Sequence, residues 1–226
     1  MKYKIVGGNF PAVICRLEKE EYIHSEKGAM SWMDPSIQMQ TKAGGIGKIF
    51  GRILTGEKMF KNRFIAKEAG EIAFSSSFPG VIKDIRIDKN HQIIAQKKSF
   101  LASSERVDMS VYFQKRILGG LFGGEGFLLQ KFYGDGVVFI EIDGSCIEYN
   151  LEPGQKKIIN TGYLVAMEHT CTLDIEMVRC LKNIILGGEG FFNTTITGPG
   201  RVYLQTMPIK KTAMTIYRYI PHPKQN

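Results

Sequence analysis

The chain has 226 residues, of which 43% are hydrophobic and 23% are charged, a composition typical of a soluble globular protein. Its 30 Lys and Arg outnumber its 22 Asp and Glu, so the formal net charge is +8. An anionic partner stays open, although a moderately basic surface often serves only solubility. No apolar stretch is long enough to span a membrane or to form a signal peptide, so we expect a cytoplasmic protein. We expect its four scattered cysteines to be free thiols.

The first distinctive element in chain order is the basic segment 41–67, which carries seven Lys and Arg and a single acid, Glu57. Its apolar residues between Ile46 and Leu54 recur at the spacing of one helix face, which predicts a short amphipathic helix able to lie on anionic lipid. The candidate contacts with a membrane or partner are Lys48, Phe50, Arg52, Lys58, Lys61 and Arg63. The alternative is a connector whose apolar side packs on the rest of the domain.

Two later segments alternate between apolar and polar residues. In the first, the apolar positions are Val107, Met109, Val111 and Phe113, and in the second they are Cys171, Leu173 and Ile175. Alternation with a period of two is typical of a strand that buries one face, so both segments are predicted strands. The runs NTTIT and RVYLQT, on either side of a Gly-Pro-Gly sequence, predict two further strands joined by a corner.

One pattern recurs three times along the chain. Glu57, Glu125 and Glu189 are 68 and then 64 residues apart, and each is followed by an aromatic residue and then by a glycine corner 11 to 13 residues away. The residues of this predicted turn motif are Gly56, Glu57, Gly124, Glu125, Gly126, Gly188, Glu189, Gly190, Gly198, Pro199 and Gly200. The three glutamates either cap their own turns or converge on a shared site, and the sequence leaves both readings open.

The recurrence predicts an all-β chain of three β-sandwich repeats around a pseudo-threefold axis. The predicted repeats are 1–95, with 41–67 as a basic insertion, then 96–160 and 161–226, all within a single domain of residues 1–226. A unit of roughly 65 residues leaves apolar faces and strand edges uncovered, and packing three units together covers them.

The run ILGGEGFFNTTITGPGRVYLQTMP at 185–208 is similar to the signature of the altered-inheritance-of-mitochondria protein 24 family. The runs SWMDPSIQMQTK and ILTGEKMFKNRF also resemble earlier segments of that family. The resemblance implies a double-stranded β-helix-like sandwich, similar to the tryptophan RNA-binding attenuation protein, repeated three times in one chain. It implies no reaction, since no catalytic residue is established for the family. Its mitochondrial members are associated with inner-membrane organisation, which favours scaffolding, and the lack of a targeting segment makes this chain similar to the bacterial members.

The residues predict no catalytic group, cofactor or metal site. The run GGEGFF is followed by β-formers rather than by the helix that a dinucleotide fingerprint requires, so its glycines are expected to make turns. His169 and Cys171 are the single pair of metal-ligand residue types on one strand face, and they lack a third and a fourth ligand. No GxSxG nucleophile motif is present.

The leading hypothesis is a non-enzymatic binding or scaffold protein that contacts a protein partner or an anionic membrane surface. One alternative is RNA or DNA binding through a basic face, to which Lys210, Lys211 and the Tyr217–Tyr219 tripeptide would contribute. The second alternative is a cupin-like metal-binding protein or enzyme. Similarity of fold to an RNA-binding protein is an analogy and does not carry a function by itself.

Overall fold

The computed structural model describes residues 1–40, 62–115, 127–177, 192–217 and 219–220. These residues form nineteen β-strands and one short α-helix, which confirms the all-β prediction. The first strands are β1 (Lys2–Val6), β2 (Ala12–Leu17), β3 (Tyr22–Ser25), β4 (Met30–Met33), β5 (Ile37–Gln40), β6 (Asn62–Ala66) and β7 (Gly70–Ser75). The middle strands are β8 (Gly80–Ile87), β9 (Ile93–Gln96), β10 (Phe100–Ser104), β11 (Val107–Lys115), β12 (Phe127–Gly134) and β13 (Gly136–Asp143).

The last strands are β14 (Cys146–Leu151), β15 (Lys156–Asn160), β16 (Leu164–Glu168), β17 (Thr172–Met177), β18 (Phe192–Thr197) and β19 (Gly200–Gln205), and they are followed by helix α1 (Ile209–Tyr217). Short 3-10 turns at Lys97–Ser99 and Thr161–Tyr163 join β9 to β10 and β15 to β16. The alternating segments predicted from the sequence are β11 and β17, and the two strands predicted around Gly-Pro-Gly are β18 and β19. These strand predictions are therefore confirmed.

The strands form four antiparallel sheets. Sheet 1 has the order β1-β2-β7-β4, sheet 2 has β5-β6-β3-β10-β13-β8, sheet 3 has β11-β12-β9-β16-β19-β14, and sheet 4 has β15-β18-β17. The order in sheet 3 is that of sheet 2 with six added to every strand number. Sheet 1 without β1 corresponds in the same way to one half of sheet 2, and sheet 4 corresponds to one half of sheet 3.

Three hydrophobic cores lie between these sheets. The first core, which includes Phe64 and Phe74, is enclosed by sheet 1 and the β3, β5 and β6 half of sheet 2. The second, which includes Phe132, lies between the other half of sheet 2 and the β9, β11 and β12 half of sheet 3. The third, which includes Ile196 and Val202, lies between the rest of sheet 3 and sheet 4. Sheets 2 and 3 therefore each form a wall of two sandwiches.

The strands β7, β13 and β19 each begin at a glycine, and the N–H of the next residue is bound in the same way in all three. It donates a hydrogen bond to a side chain at the bend that follows β4, β10 or β16. The pairs are Glu71 with Asp34 at 2.8 Å, Val137 with Ser104 at 2.9 Å and Arg201 with Glu168 at 3.0 Å. These side chains satisfy backbone donors at the sheet corners, which would otherwise cost free energy.

A side chain at these corner glycines would meet atoms of the neighbouring bend. A Cβ built on Gly70 would lie 2.5 Å from Ser36 Oγ, and one built on Gly200 would lie 2.6 Å from Thr170 Oγ1. Gly200 also has a φ of +140°, which L side chains rarely adopt. The glycine corners therefore serve the backbone geometry of the sheets.

Helix α1 was not predicted from the sequence. It follows the buried Pro208 and contains Lys210 and Lys211, which the sequence analysis considered only as nucleic-acid contacts. The amphipathic helix predicted around residues 46–54 lies outside the described residues. The end of the basic segment, Asn62–Ala66, is strand β6 of sheet 2.

Candidate functional site

The predicted turn motif is only partly within the described residues. Gly198, Pro199 and Gly200 form the corner between β18 and β19, and the Gly198–Pro199 peptide bond is cis. The other members, Gly56, Glu57, Gly124, Glu125, Gly126, Gly188, Glu189 and Gly190, lie outside the described residues. Whether the three glutamates cap turns or share a site therefore stays a prediction.

Of the predicted membrane or partner contacts, Lys48, Phe50, Arg52, Lys58 and Lys61 lie outside the described residues. Arg63 lies on β6 and is half-buried. Its guanidinium carbon is 3.6 Å from the centre of the Tyr22 ring on the adjacent strand β3, which is a cation–π contact. The planar side chain of Arg63 thus contributes to packing within sheet 2.

The predicted pair His169 and Cys171 lies on the bend between β16 and β17. Cys171 is buried, which raises the pKa of its thiol to about 11, and its Sγ donates to the Pro199 carbonyl at 3.5 Å. His169 Nδ1 lies 3.3 Å from the Gln92 carbonyl oxygen. Both side chains therefore contact backbone oxygens. Across the described ranges, no three His, Cys, Asp or Glu residues cluster as metal ligands.

The described cysteines are free thiols. Cys15 and Cys171 are buried and Cys146 is half-buried, whereas Cys180 lies outside the described residues. Burial raises the pKa of the Cys15 thiol to about 12. A thiol with a raised pKa contains little of the thiolate that acts as a nucleophile. The three described cysteines therefore behave as small core residues.

A cleft of about 190 Å³ lies where β13 meets the turn between β9 and β10 and the start of α1. It is lined by a mixture of polar and apolar residues, among them Ser77, Lys98, Glu141, Asp143, Gln205 and Ile209. Glu141 and Asp143 are two residues apart on β13, so their side chains lie on the same face of sheet 2. Sequence reasoning missed this group because its members come from distant parts of the chain.

Glu141 is held at the closed side of the cleft by two consecutive serines. The backbone N–H of Ser77 donates to Glu141 Oε2 at 2.7 Å, and the hydroxyls of Ser76 and Ser77 each donate to the carboxylate at 3.2 Å. Burial raises the pKa of Glu141, while these three hydrogen bonds oppose the shift. Its acceptors are therefore occupied by the loop after β7, so the carboxylate anchors that loop on β13.

Asp143 anchors helix α1 at the open side of the cleft. Its Oδ2 accepts a hydrogen bond of 2.9 Å from the backbone N–H of Ile209, the first residue of the helix. A carboxylate at a helix N-terminus satisfies a free N–H donor and interacts favourably with the helix dipole. Lys211 Nζ donates to the Tyr163 hydroxyl at 2.8 Å, a second contact in the same turn. The cleft thus fixes the orientation of α1.

The remainder of α1 faces solvent, and none of its residues is buried. Between residues 207 and 220, seven large apolar side chains are exposed: Met207, Ile209, Met214, Ile216, Tyr217, Tyr219 and Ile220. We call these seven residues, together with Lys210 and Lys211, the α1 surface. Concentrated exposure of large apolar side chains marks interaction sites in soluble domains. Within the described ranges, no helix has the length and apolar character needed to cross a bilayer.

Three comparisons with known proteins bear on this arrangement. The model of the family described as "Mitochondrial biogenesis AIM24" matches residues 3–207. The uncharacterized protein M6_Spy0233 of Streptococcus pyogenes serotype M6 is 28% identical over 221 residues, covering 94% of this chain and 88% of that protein. The crystal structure of protein SPYM3_0169 from Streptococcus pyogenes matches with a TM-score of 0.82 at 24% identity, covering 97% of this chain and 99% of the other. That likeness shows a common fold.

Proposed function

This chain belongs to the family described as Mitochondrial biogenesis AIM24, and from that premise we propose that it is a non-enzymatic scaffold protein that docks on an anionic membrane surface through the α1 surface. The observation that carries the proposal is a nine-residue helix with no buried residue and several exposed large apolar side chains. A helix of this length is marginal by itself in water, so its apolar side chains gain most when a partner or membrane covers them.

Anchoring at one end supports a docking role for the helix. The bonds from Ile209 to Asp143 and from Lys211 to Tyr163 hold the first turn against sheets 2 and 3. The following residues Met214, Ile216 and Tyr217 are 51%, 56% and 60% exposed. The helix therefore presents its apolar side chains from a fixed base, which lowers the entropy lost on binding.

Charge favours an anionic surface over a neutral one. Lys210 and Lys211 lie among the apolar residues of the α1 surface, and the whole chain carries a formal charge of +8. Each Lys or Arg near an anionic bilayer contributes about 1 kcal/mol of attraction, and buried apolar side chains add to it. Tyr217 and Tyr219 are amphipathic rings of the kind that prefer the membrane interface.

We extend the proposal to the architecture of the scaffold, as three structural repeats comprising β2–β7, β8–β13 and β14–β19. The shift of six in strand order supports it, as does a bulge at the same place in β4, β10 and β16, between Met30 and Trp32, Phe100 and Ala102, and Leu164 and Ala166. These boundaries fall earlier than residues 95 and 160 because each core is enclosed by one such set of six strands.

A closed pseudo-threefold arrangement of these repeats would pair β15 with β4. No ladder joins those two strands in the described part of the chain. We therefore propose an open series of three repeats, in which the first and the third are each joined to the second.

Vesicle sedimentation tests the membrane proposal. The full chain is mixed with phosphatidylcholine vesicles that either contain or lack phosphatidylserine, at low and at high salt. We expect binding to the anionic vesicles that weakens as salt rises, because the Debye length shortens. The double variant Ile216→Asp with Tyr217→Asp is expected to bind about tenfold more weakly, since charge resists burial in the interface.

The matched control is Phe10→Asp, which changes an apolar residue that is 75% exposed and lies outside the α1 surface. This variant is expected to bind as the unmodified chain does. Equal binding by the double variant, or equal binding to vesicles without phosphatidylserine, would contradict the proposal. Circular dichroism of both variants shows that the sheets are intact.

A further inference from the structure

Two joints of one type connect the three sandwiches. In sheet 2, β3 pairs antiparallel with β10, with Ser25 opposite Ala102, and in sheet 3, β9 pairs antiparallel with β16, with Ala95 opposite Ala166. Both joints have the same register relative to the bulges in β10 and β16. Each is a continuous backbone ladder across the boundary between two cores.

The strands that would form a third joint of this type are β4 and β15. By their bulge and their place in the sheet order, β4 corresponds to β10 and β16, while β15 corresponds to β3 and β9. β4 is the last strand of sheet 1 and β15 is the last strand of sheet 4. In the described ranges, the outer edges of both strands carry no ladder.

Exposure follows this difference. Trp32 on β4 corresponds to Ala102 and Ala166, which are both fully buried, yet Trp32 is 51% exposed. Ile158 on β15 corresponds to Ile94, which is 2% exposed, yet Ile158 is 70% exposed. Positions that are buried at the two internal joints are thus open to solvent at the two ends of the series.

We propose that β4 of one copy of this chain pairs with β15 of a second copy. The two strands run antiparallel in the register of the internal joints, which places Trp32 opposite Ile159, Met33 opposite Ile158 and Asp34 opposite Lys157. An open edge presents unpaired N–H and C=O groups, and pairing with the second copy satisfies them. Each copy retains one free β4 and one free β15, so the contact is head-to-tail and builds a ring or a filament.

The side chains in this register are complementary. Asp34 and Lys157 bring opposite charges to one cross-strand pair, and Trp32 with Ile159 is an aromatic and β-branched pair of the type that stabilises antiparallel strands. A shift by one residue would break both matches and move the side chains to the opposite face. The register is therefore specified by charge and by shape together.

The bulk of these side chains favours a second copy over closure within one chain. The internal joints hold serine or alanine where the outer joint holds Trp32 and Ile159. A larger pair separates the neighbouring sandwiches and changes the angle of the joint. A second copy is free to adopt that angle, whereas the third sandwich of the same chain is held by its connection to the second.

Disulfide trapping between two singly substituted chains tests the proposal. Met33→Cys and Ile158→Cys proteins, one of them enlarged by a tag, are mixed and oxidised, and the products are separated without reductant. We expect mixed dimers to exceed those of a control mixture by about tenfold, because only residues held opposite each other come within the distance of a disulfide. The control mixture pairs Met33→Cys with Ile147→Cys, an exposed position on β14.

Equal yields of mixed dimers in the two mixtures would overturn the proposal. A chain with both Met33→Cys and Ile158→Cys distinguishes the occupants: a ladder of oligomers is expected, whereas a disulfide confined to the monomer would overturn pairing with a second copy. Charge reversal provides a second measurement. Asp34→Lys or Lys157→Glu alone is expected to lower the mass measured by light scattering at high concentration, and the double reversal is expected to restore it.

Discussion

The carboxylate of Asp143 on β13 accepts a hydrogen bond of 2.9 Å from the backbone N–H of Ile209, and this bond attaches the first turn of α1 to the sheet. The bond connects residues that are 66 positions apart. It therefore couples the one described helix to the wall shared by the first and second cores.

Replacing Asp143 with Ala is expected to free the start of α1 without disturbing the sheets. Loss of a capping side chain costs about 1 kcal/mol, since the helix N–H then relies on water. Hydrogen exchange of residues 209–217 should accelerate, while exchange in β13 stays slow. Asp174→Ala, which removes an exposed carboxylate from β17, is the control, and unchanged exchange in α1 of the Asp143 variant would contradict the anchoring role.

The Glu141 carboxyl predicts a pH dependence of stability with a defined sign. Because burial raises its pKa above 4.5 in the folded state, the folded chain binds the proton more tightly than the unfolded chain does. Its contribution to stability is therefore fully present below pH 4.5 and is lost as the pH rises through the higher folded-state pKa. Relative to Glu141→Gln, the unmodified chain should become more stable as the pH falls toward 4.5.

Urea denaturation of both chains at several pH values measures this difference. Glu152→Gln, which replaces an exposed carboxylate, gives the effect of the substitution at the surface. A difference between the free energies of unfolding that is constant with pH, or one that grows in the opposite direction, would remove Glu141 as the responsible group.

Gly200→Ala is expected to lower the free energy of unfolding by about 2 kcal/mol or more, since it combines backbone strain with a steric overlap. The new Cβ would lie 2.6 Å from Thr170 Oγ1 and 2.8 Å from Cys171 Sγ. Gly154 has a φ of +77° with no atom within 4 Å of a built Cβ, so Gly154→Ala should cost only about 1 kcal/mol. Equal losses in thermal stability would show that close approach at the β18–β19 corner is unimportant.

The third core should respond to the loss of one methylene. Ile196 is fully buried on β18, and Ile196→Val is expected to cost about 1 kcal/mol, because the cavity is only partly refilled. Ile158→Val, at a position that is 70% exposed, is expected to cost less than about 0.5 kcal/mol in dilute protein. Chemical denaturation at low concentration compares them, and a larger loss at Ile158 would contradict the assigned core.

Local patterns in the sequence predicted local parts of the fold. β11 and β17 were predicted because their apolar and polar residues alternate, and the corner at Gly200 was predicted because β-formers flank a Gly-Pro-Gly run. The pairing of Ser25 with Ala102 could not be predicted, since small residues at a joint give no periodic signal. The step between equivalent glutamates did carry longer-range information, because Gln130 and Thr194, which are also 64 residues apart, occupy matching places in sheets 3 and 4.

The site was harder to predict than the strands. Asp143 and Ile209 meet only after β13 and β19 have taken their places, so no motif joins them in sequence. The apolar residues of α1 gave no core-facing pattern because the helix buries none of them. Arg63 was grouped with the basic residues of 41–67, and its stacking on Tyr22 depends on the pairing of β3 with β6.

The shared walls have a consequence for how the chain responds to damage. Sheet 2 encloses the first and second cores, and sheet 3 encloses the second and third, so stripping away any one sandwich leaves its neighbour with half of a sheet exposed on its inner face. Fragments cut between repeats should thus be poorly viable as separate folding units, and melting should spread from one end of the molecule to the other as one cooperative event.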